Sequence, residues 1–134
     1  MEYFVGIALA ISVGFLGTFV GFDRDRSFYP TIMAVIASYY ALFAAMGGSL
    51  QELAVELIPI AAFLALAIAG YKHSLWLVVV AFAGHGVFDV IHSRLISNAG
   101  VPSWWPQFCL AYDVVAAAYL AFLLLRSRVS ASPT

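Results

Sequence analysis

The 134-residue chain is 64% hydrophobic and 10% charged, with a mean hydropathy of +0.99. A soluble domain is about half apolar and about a quarter charged, so the composition excludes one. The net charge of −1, with no basic patch beyond Arg24, Arg26 and the tail, points to no nucleic-acid partner.

The apolar residues come in blocks of roughly 20, the length of a spanning helix. Five spans in one transmembrane domain (1–134) are expected, an all-α bundle. The first covers 3–22. Its start lacks the positive n-region of a cleavable signal peptide, and no small-residue cleavage site precedes Asp23, so it is expected in the mature protein. Gly17 and Gly21 form a G-x-x-x-G pair that suits close helix packing, either within the monomer or at a homo-oligomer seam. Asp23 to Arg26 is a polar turn, and Pro30 suits the first turn of the second span, 30–46. Gly47 and Gly48 end that span. Ser49 and Glu52 read as a capping box for the third span, 50–70, which Pro59 should kink.

Ser74 is a candidate N-cap for the fourth span, 74–96. This stretch carries His85, Asp89 and His92 on one side of the helix, at i, i+4 and i+7. Ionisable groups inside a membrane are costly and mark a functional site by default. SNAGVPSWWPQ is a loop by its Gly and Pro content. The fifth span, 106–125, carries Asp113. Trp104 and Trp105 fall at the membrane interface, where such rings form a belt; a lid over a ligand site is the alternative.

With five spans, Arg24, Arg26, Lys72, Arg126 and Arg128 fall on one side of the membrane and only Arg94 on the other. The positive-inside rule then predicts the N-terminus outside and the C-terminus in the cytoplasm. Measured inward from the outer helix ends, Glu56, Asp89 and Asp113 lie about 9–11 Å deep, with His92 near 6 Å and His85 near 16 Å, at about 1.5 Å per residue. Tyr39 and Tyr40 fall at about 12–14 Å but point about 100° apart, so one of them is expected to face the interior.

The candidate site thus holds four acids, Glu52, Glu56, Asp89 and Asp113, against one nearby arginine, Arg94, which is directed outward. Carboxylates in low dielectric need compensation: held protons, charged histidines or a cation. His85, Asp89, His92 and Asp113 make an N/O ligand set for a divalent metal, zinc, iron or manganese. Glu56 and Asp113 are the catalytic candidates, Glu56 as general base on water activated by the ion. A metal-free network of His–Asp pairs and protonated acids is the competing reading. Glu52 reads as a cap, His73 as a solvated turn residue, and Asn98 as loop support. The lone cysteine, Cys109, rules out an intrachain disulfide and any cysteine-based zinc site, and one turn before Asp113 it reads as a small packing residue, with a nucleophile as the remote alternative.

FYPTIMAVIASYYALFAAMGGS, AGHGVFDVIHSRL and GVPSWWPQFCLAYDVVAAAYLA resemble a group of small bacterial polytopic membrane proteins, over most of the chain after Asp23. The resemblance implies a bacterial inner-membrane, multi-pass setting and carries no activity over. Transmembrane zinc hydrolases of the ceramidase and adiponectin-receptor type also set His and Asp on helices, but with more histidines and more spans; that likeness is one of chemistry. Three functions follow: a metal-dependent enzyme acting on a lipid or other amphiphile, a proton-coupled transporter of cationic or amphipathic compounds, or a non-catalytic accessory subunit.

Overall fold

The computed structural model describes residues 1–133 and contains, among these, five long α-helices and no strand. They are α1 (Glu2–Val20), α2 (Phe28–Gly47), α3 (Leu50–Lys72), α4 (Trp76–Leu95) and α5 (Trp105–Leu125), with a single 3-10 turn at Phe22–Arg24. All five are long and apolar enough to cross a membrane. At about 1.5 Å per residue they measure about 28–35 Å, against a hydrocarbon core of about 30 Å.

The boundaries have local causes. Gly21 closes α1 in the left-handed region at φ 89°, which glycine adopts without strain. Asp25 accepts the Ser27 amide at 2.9 Å ahead of α2, and that bond holds its carboxyl below the usual range. The capping box before α3 is complete: Ser49 Oγ accepts from the Glu52 amide and Glu52 Oε2 from the Ser49 amide. Pro59 lies inside α3 without ending it. The fourth helix begins later than its expected cap, with Leu75 at the N-cap position; Ser74 Oγ still accepts the Trp76 amide at 3.4 Å. The Leu75 amide instead binds the Ala131 carbonyl of the tail at 2.9 Å, a partner no local pattern announces.

Around the bundle the helices neighbour one another in the order α1, α5, α4, α3, α2, and α2 also touches α4. The row does not close, because α1 has no extended packing against α2. Within the chain Gly17 packs under the ring of Phe28, the first residue of α2, where an added Cβ would lie 2.7 Å from it, and Gly21 serves as the cap. Phe4, Phe15 and Phe19 point outward, as befits a surface bathed in hydrocarbon.

At one end Arg26 ties the turn after α1 to the C-terminus of α3 and to the tail. Its guanidinium donates to the carbonyls of Tyr71 (3.0 Å), Gly70 (3.3 Å) and Ser130 (2.6 Å). At the opposite end the loop between α4 and α5 folds over the α2 terminus, with Gly100 against Gly47 and Phe43. Of the buried polar residues, Asp23 sits at the first end, in the turn after α1, and Glu56, His85, Asp89, His92 and Asp113 lie in α3, α4 and α5.

Candidate functional site

Glu56 and Asp113 are fully buried, and His85, Asp89 and His92 are 1–2% exposed. None of the five faces lipid. They come from three helices, and α2 adds a fourth through Tyr40.

His85 is the centre of the larger group. Its Nδ1 lies 2.7 Å from Asp113 Oδ2 and 3.4 Å from Asp89 Oδ2. Gly86, the next residue of α4, faces α5 at this level, and a Cβ there would sit 3.4 Å from the Asp113 Cβ and 3.3 Å from Leu110, a snug contact. One turn above Asp113, Cys109 brings its Sγ to 3.9 Å from the same Oδ2. The Tyr40 hydroxyl donates to Asp89 Oδ1 at 2.6 Å. His85, Asp89, Cys109 and Asp113 each offer one donor atom, and these four atoms lie within 4.8 Å of one another.

The second group is a hydrogen-bonded pair with a helper. His92 Nε2 stands 2.8 Å from Glu56 Oε1, and Asn98 Nδ2 donates to that same oxygen at 2.7 Å and to the Tyr40 carbonyl at 3.1 Å. Tyr40 joins the two groups. Its hydroxyl engages Asp89 while its ring stacks on the His92 imidazole, centroids 4.0 Å apart at 22°. Phe63 meets the His85 ring edge-on at 4.8 Å, and Phe88 does so for His92 at 5.3 Å.

The expected ligand set is thereby redrawn. His92 does not join His85, Asp89 and Asp113 but turns to Glu56, and Cys109 takes its place in the four-donor group. The exclusion of any cysteine-based zinc site is corrected: Cys109, read from the sequence as packing, contributes one of the four donor atoms of a mixed N/S/O group. Asn98 supports its loop, accepting the Gly100 amide at 3.1 Å, and also enters the core through Glu56. Trp105 is buried against Tyr39 (4.9 Å) and Phe43 (4.8 Å), so of the two only Trp104, 47% exposed, turns outward. Arg94 and His73 are exposed, and Glu52 is the cap.

Three buried carboxyl groups share this region with two imidazoles, and among the described residues no lysine or arginine pairs with them. Asp113 Oδ1, Asp89 Oδ2 and Glu56 Oε2 have no hydrogen-bond partner. Asp89 Oδ2 is within ion-pair distance of His85, but the single Nδ1 proton can serve only one acid well, and Asp113 is closer. Buried acceptors without partners are rare and costly, and either protons held on the carboxyl groups or a bound cation would offset that cost. For a cation, one nitrogen, one sulfur and carboxylate oxygens match the ligands of zinc.

A cavity of about 500 Å³ opens beneath the loop between α4 and α5, and Asp89, His92, Asn98 and Gln107 help line it. The candidate site is therefore within reach of that end of the bundle. No protein-family model matches the chain, and no curated protein or solved structure is significantly similar to it.

Proposed function

We propose that this is a metal-dependent membrane enzyme of the bacterial inner membrane, acting on a lipid or other amphiphile. His85, Asp89, Cys109 and Asp113 hold a divalent ion of the zinc, iron or manganese class. The observation that carries the reading is the convergence of four buried donor atoms within 4.8 Å, beside carboxylate oxygens without partners. When bound, the ion would supply Lewis-acid chemistry beside the cavity that Asp89 lines. Tyr40 fixes the orientation of Asp89 from outside the ligand set, as hydrogen-bonded neighbours of metal ligands do.

Glu56 is the expected base, but it does not line the cavity; His92 does, and Glu56 backs it. The pair therefore serves as a carboxylate-oriented imidazole that accepts a proton on the cavity side. The charge asymmetry supports a C-terminus in the cytoplasm, which sets the cavity on the external side. Elemental analysis of protein purified in mild detergent tests the proposal. Stoichiometric metal is expected in the wild type and in His92→Ala and is lost in Asp113→Ala; a metal-free wild type ends the reading.

One feature favours a second reading, proton-coupled transport of cationic or amphipathic compounds. Each imidazole already has a carboxylate partner at 2.7–2.8 Å, and Tyr40 connects the two pairs. Vesicles with an imposed pH gradient separate the two. Uptake abolished by Glu56→Gln in a metal-free protein supports transport and rejects the enzyme.

A further inference from the structure

The incomplete ring of helices leaves an apolar cleft between α1 and α2, floored by α5. It encloses about 360 Å³, in the range of about 300–1,000 Å³ common for ligand pockets. Its walls run from Tyr39 down to Thr31 on α2 and from Trp105 down to Tyr112 on α5. At about 1.5 Å per residue this is a slot about 10–12 Å long, parallel to the helices.

Two features separate the cleft from an ordinary gap between membrane helices. Trp105, 7% exposed, lines it and carries an indole N–H with no hydrogen-bond partner. Trp105 is the first residue of α5, so its donor lies at the level where lipid ester and hydroxyl oxygens sit. Cys109 lines the same cleft one turn deeper and, on its other side, belongs to the four-donor group.

The geometry points to a binding site for one hydrocarbon chain of a membrane lipid, seated between α1 and α2 with an acceptor oxygen at its polar end against Trp105. The occupant follows from the surroundings. The cleft opens sideways between two helices whose outer faces are apolar and exposed, its lining is mostly apolar, and its one buried polar group without a partner is a donor at the head-group end. As a subsite for the substrate of the enzyme, the assignment rests on the metal-site reading; as a lipid site it does not.

Reconstitution with a phosphatidylcholine carrying a photoactivatable diazirine in one acyl chain, followed by peptide mapping, tests it. Label is expected on the α5 peptide containing Phe108 and Cys109, with loss of that label in Val35→Trp and Leu9→Trp. Both positions line the mouth and are already 49% and 44% exposed, so a larger side chain there leaves the core alone. Trp105→Phe keeps the ring and removes the donor; it is expected to shift labelling from the ester-linked probe toward a photoactivatable hydrocarbon without an ester. Label confined to outward residues such as Phe15 and Phe19, or unchanged on α5 in both mouth variants, overturns the proposal. Metal content is read on the same samples. A labelled cleft in a metal-free protein removes the enzyme and keeps the lipid site, and metal without cleft label does the reverse.

Discussion

His85 and His92 stand about two turns apart on one face of α4, are equally buried, and have different surroundings. The difference lies in what the opposing helix offers. Beside His85, α5 presents Cys109 and Asp113 one turn apart on one face, and Asp89 adds a second acid from α4 itself. Beside His92, α3 presents Glu56 alone, since the next residue on that face is the buried, apolar Ile60. One imidazole therefore joins a set of four donors, and the other joins a closed hydrogen-bonded pair completed by a loop amide. A stripe of polar residues on one helix points to a candidate site; its division into a four-donor group and a hydrogen-bonded pair is decided by the neighbours.

The sharpest way to break this comparison is to remove the acid that only the first group uses. Asp113→Ala leaves His85 with Asp89 at 3.4 Å as its one remaining carboxylate. Stripping one partner from a buried ion pair costs about 3–5 kcal/mol, so a large fall in thermal stability in detergent is expected, together with loss of bound metal. Retained metal would show that Asp113 is no ligand. His92→Ala comes next: Glu56 keeps Asn98, so the loss of stability is smaller, and metal content is unchanged. Loss of metal in that variant would merge the two groups again.

Much of the fold is legible because membrane helices obey local rules. The five spans follow from apolar length, and Ser49 with Glu52 marks the start of α3 through a pattern only three residues wide. The 100° step between successive helical residues separates Tyr40, which is buried, from Tyr39, which is half-buried. The same step separates Trp105 from Trp104, although composition alone assigns both to the interface. The site is less legible. Cys109 and Asp113 share a face by spacing, but that α5 packs against α4 at the level of His85 is a tertiary fact that no local pattern states. Asn98 lies in a loop where no periodicity applies, and its reach to Glu56 depends on the loop folding back over α2.

Two smaller changes sharpen the comparison. Tyr40→Phe removes the hydroxyl on Asp89 and keeps the ring stacked on His92, so it acts on the first group alone. Loss of such a neighbour of a metal ligand lowers metal affinity by about 10–100-fold, measurable by competition with a graded series of chelators. Unchanged affinity would place Asp89 outside the ligand set.

Asn98→Ala has the smallest expected effect and acts on the second group. Glu56 Oε1 keeps its bond to His92, and the Tyr40 carbonyl keeps its place in α2, so neither acceptor is left bare. The cost is then that of ordinary hydrogen bonds, about 1 kcal/mol each, seen as a modest fall in thermal stability with metal content intact. Asn98 also lines the cavity, and truncating it widens the approach to His92. Accessibility of His92 to a small imidazole-modifying reagent should therefore rise in Asn98→Ala, while His85, shielded behind Phe63 and Tyr40, stays protected. Equal modification of both histidines would mean that the two groups share one solvent path, and the distinction between a metal set and a cavity-facing pair would fail.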